Sequence, residues 1–451
     1  MNTIQFPKLK NLVGGCLAVA LGLLLAMLIT CAGGATAPPT PKGELLVNTL
    51  EDELNSDGDC SLREAVEAAN TNTPVDACGT GDVLTDTISF AVNGTITLTS
   101  QLSVSHSGPL VVEGGEAITL SGGEMTRVWW VESGSELTLQ DLSVMDGYTS
   151  SGDGAGLYSE GTLSILHCFF YANRAADAGG CGGGAIHQQG GRLTVIDSTF
   201  LGNSAVCTSA WGGAIVNQFG TAVISDSLFS WNLSQLGGGI LNFGTLTVTR
   251  STFLGNYASH EGGAIDNYFG RLRLIDDMLF TNSAEYSGAV HNFLGTVEIE
   301  GSTFSDNSAF WGGVIMNQGL LTVTNSTLSA NDATDIGGGI YNTYSGTLTV
   351  TNTTLSGNWA NQGGAVYAEN PLTVTNSILA NSPTGGDCWG EIVDGGHNIS
   401  SDDTCSLEPA NGSMPDTDPA LGALQDNGGP TWTLSTDCGV ASAGQHPSRD
   451  R

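Results

Sequence analysis

Basic side chains are scarce in this sequence. It contains 12 Lys and Arg residues against 45 Asp and Glu residues, which gives a formal net charge of −33 at pH 7. None of the basic residues lies between Arg273 and Arg449. Because phosphate groups are bound mainly by Lys and Arg, this balance argues against nucleic acid and anionic membrane surfaces as partners. We expect membrane contact only through an N-terminal signal or lipid.

Two other patterns are missing. The sequence has no Cys-x-x-Cys motif or His-rich pair of the kind that holds zinc. Its long middle part also lacks the apolar spacing of an amphipathic helix. Disorder is excluded as well, because 40% of the residues are hydrophobic and recur at regular positions. The 64 glycines suit a β-protein with many turns.

The middle of the chain is a repeat. A Gly-Gly-x-Ile motif returns with a period close to 25 residues, and its Ile or Val lies at Ile186, Ile215, Ile240, Ile265, Val290, Ile315, Ile340 and Val366. An Asn two positions later keeps the same period, at Asn217, Asn242, Asn267, Asn292, Asn317 and Asn342. A repeat of this regularity predicts a solenoid, in which the Asn side chains stack into a hydrogen-bonded ladder.

A second motif in each repeat indicates short strands. An alternating segment such as Gly-Thr-Leu-Thr-Val-Thr is followed by a bulky residue and a closing Asn. We assign the bulky position to Phe200, Phe229, Phe253, Phe280, Phe304, Leu328 and Leu355. Leucine-rich spacing is absent, and a propeller blade needs about 40 residues or more. We therefore predict an all-β, right-handed parallel β-helix of roughly twelve coils over residues 85–381.

The repeat resembles that of the chlamydial polymorphic outer-membrane proteins, which carry Gly-Gly-Ala-Ile and Phe-x-x-Asn. Residues 183–186 and 200–203 contain both motifs here, and the resemblance spans about residues 155–381. In that family the β-helix is a surface structure with adhesive roles, so the resemblance implies a similar role for this chain.

The first residues have the features of an export signal. Lys8 and Lys10 precede an apolar run from Leu12 to Ile29, and a Pro-rich segment follows. We assign residues 1–37 to a signal peptide and residues 38–44 to a linker. The stretch ending at Cys31 resembles a bacterial lipobox, which makes Cys31 a candidate lipidation site. Cleavage without lipidation and an uncleaved anchor stay open as alternatives.

Both flanks of the repeat resemble known modules. Ser61 and Glu64 form a capping-box pattern, which predicts a short helix ending near Asn70. The string from Cys60 to Ala65 matches the name of the CSLREA domain, which precedes β-helices in secreted bacterial proteins, so we assign residues 45–84 to an N-terminal cap. Residues 382–451 include Asp-Pro-Ala-Leu-Gly at 418–422 and resemble the choice-of-anchor Q region that follows such β-helices.

The cysteines suggest an oxidised chain. Eight of the ten lie outside the signal region, and an exported protein is expected to form disulfides. Local spacing predicts three bonds: Cys60–Cys78, Cys181–Cys207 and Cys388–Cys405. Cys168 and Cys438 have no predicted partner.

Two groups of residues are candidate binding sites. Aromatic residues in the loops before the Gly pair would stack on neighbouring coils and contact a sugar or a partner surface. The alternative is that they only pack on one another. These residues are Trp211, Tyr286, Phe310, Trp311 and Trp359. Leu236 and Ile336 share their column. The acidic turn at Asp52, Asn55, Asp57 and Asp59 offers clustered hard oxygen atoms for a structural Ca²⁺, and a plain acidic turn is the alternative.

No catalytic cluster is evident in the repeat. A lyase would need basic groups that the stretch after Arg273 lacks, and a hydrolase would need two facing carboxylates. The acidic candidates occupy different positions of the repeat, so we predict that they form no cluster. They are Asp266, Asp276, Asp277, Asp306, Asp332 and Asp335. His187 and His291 share a position but lie four coils apart. We predict a non-enzymatic, secreted or cell-surface protein with an adhesive or envelope-structural role. A pectate lyase-like or polygalacturonase-like enzyme is the alternative.

Overall fold

The computed structural model describes residues 44–105, 108–150, 152–176 and 179–436. The predicted signal peptide, Cys31 and Cys438 lie outside these residues. The described chain forms stacked coils of parallel strands, and one of its sheets contains 12 strands, each from one coil. The prediction of an all-β solenoid with about twelve turns is therefore confirmed.

Sheet 1 has 25 strands and contains two strands of most coils. Its first strands are Glu44–Val47, Asp86–Phe90, Gly94–Thr97, Pro109–Ser121 and Glu136–Met145. The alternating strands follow as Thr162–Leu166, Arg192–Ile196, Thr221–Ser225, Thr245–Thr249, Arg271–Ile275, Thr296–Glu300, Leu320–Thr324, Thr347–Thr351, Leu372–Thr375 and Ile392–Asp394. The strands with the bulky residue are Phe169–Tyr171, Thr199–Leu201, Leu228–Ser230, Thr252–Leu254, Met278–Phe280, Thr303–Ser305, Thr327–Ser329, Thr354–Ser356, Ile378–Ala380 and Ile399–Ser400.

Two smaller sheets complete the coils. Sheet 2 consists of Leu102–Val104, Trp129–Val131, Leu157–Ser159, Ile186–Gln189, Ile215–Gln218, Ile240–Asn242, Ile265–Tyr268, Val290–Phe293, Ile315–Asn317, Ile340–Asn342, Val366–Ala368 and Cys388–Trp389. Sheet 3 consists of Tyr148–Thr149, Arg174–Ala175, Cys181–Gly182, Ser204–Ala205, Ala210–Trp211, Leu233–Leu236 and Tyr257–Glu261. The pair Ser308–Trp311 and Asp332–Ile336 occupies the equivalent position in later coils. Outside the coils are the α-helix Leu62–Thr71, the 3₁₀ turn Pro409–Asn411 and an antiparallel hairpin of Leu421–Gln425 and Thr433–Thr436.

The core is built from columns of identical or similar side chains. The rings of Phe170, Phe200, Phe229 and Phe253 stack with centroid distances of 5.0, 4.7 and 4.8 Å, and all four are fully buried. The next member of the column is Leu279, which pairs with Phe253 in register. The assignment of the bulky position of this repeat to Phe280 was therefore wrong. The bulky core residue lies three positions before the closing Asn, and side chains alternate along a strand, so Phe280 points outward.

Buried Asn side chains form two ladders. In the ladder predicted from the repeat, each Nδ2 donates to the Oδ1 of the next coil at 2.7–3.0 Å, from Asn217 to Asn342. A second ladder joins the closing residues Asn173, Asn203, Asn232, Asn256, Asn282, Asn307, Asn331 and Asn358 in the same way. Because buried amides are costly unless they are hydrogen-bonded, each coil must supply its Asn at the same position.

The stack extends beyond the predicted limits of residues 85 and 381. Glu44–Val47 pairs with Asp86–Phe90, and Cys388–Trp389 and Ile392–Asp394 pair with the preceding coil. The helix Leu62–Thr71 begins after Ser61, whose side chain and that of Glu64 form both hydrogen bonds of a capping box. Its buried face is mainly apolar and contacts the first strands.

Within the described residues there are three disulfides, in the pairs that the spacing predicts. The Cα–Cα distances are 4.9 Å for Cys60–Cys78, 6.1 Å for Cys181–Cys207 and 4.8 Å for Cys388–Cys405. Cys168 is a buried free thiol. The hairpin after the last coil returns to the stack, where the Trp432 ring lies 5.7 Å from that of Phe280.

Candidate functional site

The predicted column before the Gly pair is present in the structure; we call it the loop column. Backbone bridges join successive members, which are Trp211, Leu236, Glu261, Tyr286, Trp311 and Ile336. Glu261 fills the place between Leu236 and Tyr286 that sequence analysis left open. The Tyr286 and Trp311 rings lie 5.0 Å apart, and the exposed Phe310 ring lies 5.7 Å from Trp311.

Two of the predicted aromatic residues are separated from this group. Trp359 pairs with Asp332 rather than with Ile336, so it lies in a different column. Gln362 occupies the position next to Ile336 instead. Trp211 lies in the loop column, but Leu236 and Glu261 separate it from Tyr286. The predicted aromatic residues therefore do not form one continuous surface.

A second outward-facing column lies beside the first, in the middle of the sheet 2 strands; we call it the strand column. Its members are Trp130, Tyr158, His187, Val216, Leu241, Asp266, His291, Met316, Tyr341, Tyr367 and Trp389. Trp311 and Tyr341 connect the two columns with a ring distance of 6.2 Å. Tyr367 and Trp389 stack at 4.1 Å. The signal in the sequence is the residue between Ile and Asn of each Ile-x-Asn.

The turn that follows sheet 2 exposes a third apolar group; we call it the turn ridge. It consists of Phe219, Phe243, Tyr268, Phe269, Phe293 and Leu294. The rings of the five aromatic members contact one another from coil to coil. Phe219, Phe269 and Leu294 are 70%, 60% and 52% exposed. Their φ angles are +63°, +58° and +52°, in the left-handed region that bulky residues rarely adopt. The sequence signal is a bulky residue immediately before the turn Gly.

Where the columns meet, three ionisable side chains come together. His291 Nδ1 lies 2.9 Å from Asp266 Oδ1 and 3.4 Å from Glu261 Oε2. Asp266 and His291 face each other in register on neighbouring strands. The prediction that the acidic residues form no cluster is thus wrong for Asp266, because Glu261 reaches it from the loop column. The other His at this position, His187, lies 3.6 Å from a single carboxylate, Asp153.

The environment of this cluster shifts its proton affinities. Burial alone lowers the pKa of His291, but the carboxylates of Asp266 and Glu261 outweigh burial and raise it. Burial raises the pKa of Glu261.

A cavity of about 630 Å³ near the N-terminal coils is lined by Arg127, Trp130 and Tyr158, among other residues. The Arg127 guanidinium lies 5.6 Å from the Trp130 ring and 5.4 Å from the Tyr158 ring. All three of its nitrogens donate, to Gly154 O, Gln101 Oε1 and Asp153 O. These contacts explain Arg127 as a structural residue that joins coils.

The predicted Ca²⁺ ligands do not come together as one set. Asp52 accepts from Arg63 Nε at 2.9 Å and from Thr99, because the helix directs Arg63 toward it. Asn55 donates its amide to Glu53 and Asp57. The carboxylates that do converge are those of Glu53, Asp57 and Asp59, and also of Asp59, Glu64 and Asp76.

Comparison with known proteins places the repeat in context. Residues 197–218 and 352–369 match the model of the Chlamydia polymorphic membrane protein (Chlamydia_PMP) repeat. The comparison with curated protein sequences finds no match. A solved structure of a mannuronic acid specific polysaccharide family 6 lyase from human gut microbiota is similar with a TM-score of 0.45 and 12% identity, over 74% of this chain and 86% of that one. At this distance the similarity says nothing about activity.

Among the described residues, no helix has the length and apolar character needed to cross a bilayer.

Proposed function

We propose that this chain is an exported bacterial surface protein whose β-helix serves in adhesion, with the turn ridge and loop column as its contact surface. The match to the polymorphic membrane protein repeat supports a surface location. The observation that carries the adhesive role is the turn ridge, because it exposes bulky apolar side chains at positive φ.

Folding alone does not account for the ridge. A bulky residue in the left-handed region costs about 1–3 kcal/mol, and Gly or Asn would adopt the same turn with less strain. Exposed rings also gain little from burial. Clustering of such residues on consecutive coils is typical of a surface that binds another molecule.

The partner that fits this surface is a neutral glycan. Aromatic rings bind the apolar faces of sugars, and carboxylates near the rings, such as Asp335, which accepts from Trp311 Nε1 at 3.0 Å, can accept from hydroxyl groups. A net charge of −33 disfavours acidic polymers. Proteins on a host or neighbouring cell are the other class of partner for the same surface.

The test is binding of the secreted chain to a panel of glycans and to intact cells. The double variant Phe219→Asn/Phe269→Asn removes two ridge side chains and replaces them with Asn, which tolerates positive φ. It should weaken binding at least tenfold, and Trp311→Ala should weaken binding as well. Trp231→Asn is the matched control, since Trp231 is 57% exposed at a φ of +56° but lies outside the ridge. Equal binding by all of these variants would reject the proposed surface.

A polysaccharide-degrading enzyme is a second candidate, and one observation favours it. Ligand atoms of Glu261, Asp266 and His291 all lie within 4.8 Å of one another, which is close to the spacing of paired catalytic carboxylates. Asp266, however, is fully buried and bound to His291, so it does not face a groove. Release of sugar products by the wild type that disappears in Glu261→Gln would establish this alternative.

The remaining assignments complete the proposal. Residues 1–37 would export the chain, with Cys31 as the lipidation site, and the CSLREA-like segment would close the first coil. The choice-of-anchor Q-like tail would follow the last coil. We take the β-helix to be right-handed, in line with the general preference of β crossovers. The proposal also includes a structural Ca²⁺ bound by Glu53, Asp57 and Asp59.

A further inference from the structure

We propose that Glu261, Asp266 and His291 form a binding site for a divalent transition-metal ion of the Zn²⁺ class. Two of its three ligands, Asp266 and His291, are buried beneath the surface proposed for glycan binding, so ion binding can be tested without a glycan. It uses one imidazole nitrogen and two carboxylates from two neighbouring coils.

The distances between the side chains fit an ion. Metal–ligand bonds of about 2.0–2.2 Å place neighbouring ligand atoms about 3.0–3.5 Å apart around a tetrahedral or octahedral ion. His291 Nδ1 lies 2.9 Å from Asp266 Oδ1 and 3.4 Å from Glu261 Oε2. The arrangement therefore needs only small side-chain adjustments to receive an ion.

Charge and burial favour a cation at this place. The side chains of Asp266 and His291 are 0% and 1% exposed, and Asp266 Oδ2 has no hydrogen-bond partner. Within the described residues, histidines are the only basic groups paired with Glu261 and Asp266. Arg271 and Arg273 are engaged with Glu298 and Glu300. Buried carboxylates without enough positive charge are costly, and a divalent ion would offset that cost.

The fold itself does not require these residues. The same position of the strand column is occupied by Val216 and Leu241 in the preceding coils and by Met316 in the following one. All three are buried apolar side chains. Two polar ligands in consecutive coils of an otherwise apolar stretch therefore point to a ligand.

The ligand types select the ion. An imidazole nitrogen favours Zn²⁺, Co²⁺ or Ni²⁺, whereas Ca²⁺ prefers six to eight oxygen ligands. Glu261 is 22% exposed at the edge of the cluster, which leaves a route for the ion to enter. Coordination positions beyond these three ligands would be filled by water.

The repeat supplies the variants for the test. Asp266→Leu and His291→Met introduce residues that the same column already contains at Leu241 and Met316, so the coils should fold, which circular dichroism checks. His187→Gln is the matched control, because His187 is equally buried in this column but has one carboxylate nearby. The full chain is stripped with chelator before use.

Calorimetric titration with ZnCl₂ and the visible absorption of added Co²⁺ measure binding. We expect one ion bound by the wild type and by His187→Gln, with at least tenfold weaker binding in Asp266→Leu and His291→Met and a much weaker response to CaCl₂. Equal Zn²⁺ and Co²⁺ binding by the folded variants, or none by the wild type, would overturn the proposal. Loss of binding in His187→Gln alone, or preference for Ca²⁺, would also contradict it.

Discussion

At the scale of single residues, one carboxylate stands in a column of hydroxyl groups. Ser227, Ser251 and Ser302 each accept a backbone N–H from the preceding coil through Oγ. Asp277 takes this position between Ser251 and Ser302 and accepts the Ser251 N–H at 2.7 Å. Asp277 is fully buried, and burial raises its pKa to about 8.

This placement predicts a pH-dependent gain on substitution. Because the folded pKa exceeds the ordinary value of 3.8, the stability associated with Asp277 is complete below that value and is lost as pH rises toward 8. Asp277→Ser should match the wild type near pH 4 and be more stable by about 1–3 kcal/mol at pH 8.5. Thermal unfolding across this pH range measures the difference. A gain that does not change with pH, or an equal gain in Asp276→Asn, would contradict the explanation.

Individual residues were harder to predict than their columns. The repeat placed Trp211, Tyr286 and Trp311 correctly in one column, but Glu261 was overlooked because it is not aromatic. Asp266 and His291 hold equivalent positions, so their pairing follows from register. Their approach to Glu261 depends on how far the loop lies from sheet 2, which no periodicity in the sequence encodes.

At the scale of elements, the closing Asn ladder joins one coil to the next. Asn282 donates to Asn307 Oδ1 and Phe253 O, each at 3.0 Å, and accepts from Asn256. Asn282→Ala would leave buried partners on both neighbouring coils without hydrogen bonds, and we expect a loss of about 3 kcal/mol or more in urea unfolding. Asn325→Gly is the control, since Asn325 is exposed at a φ of +53° that Gly tolerates. A similar loss in both variants would mean that the ladder adds nothing special.

The N-terminal helix depends on its disulfide. The Cys60–Cys78 disulfide joins residues 18 positions apart. Removing a cross-link over a loop of this size raises the entropy of the unfolded chain and lowers stability by about 3 kcal/mol. Cys60→Ser should therefore speed hydrogen exchange in residues 45–80 while the later coils stay protected. Residues 160–380 serve as the internal reference. Uniform acceleration along the whole chain would show instead that the helix and the coils unfold together.

At the scale of the whole molecule, the fold was predictable from the sequence, but the arrangement of the surface columns was not. A period near 25 residues with alternating strands specifies stacked coils, because each coil repeats the same inward residues. Which outward columns lie side by side depends on the turns between sheets, as the contact of Trp311 with Tyr341 and the displacement of Trp359 show. The positive φ of Phe219 and Phe269 was not predicted from the Phe-Gly pattern, because bulky residues rarely adopt that conformation.

The excess of negative charge should make stability depend on salt. With 45 acidic and 12 basic residues, the folded chain holds like charges closer together than the unfolded chain does. Salt screens this repulsion over about 10 Å at 0.1 M, so Tm should rise by several degrees between 10 and 300 mM NaCl at pH 7.5. The increase should shrink at pH 5, nearer the isoelectric point of about 4.1. Calorimetry with chelator present separates this effect from metal binding. A Tm that falls with salt at pH 7.5 would show that surface ion pairs such as Arg250–Asp226 outweigh the repulsion.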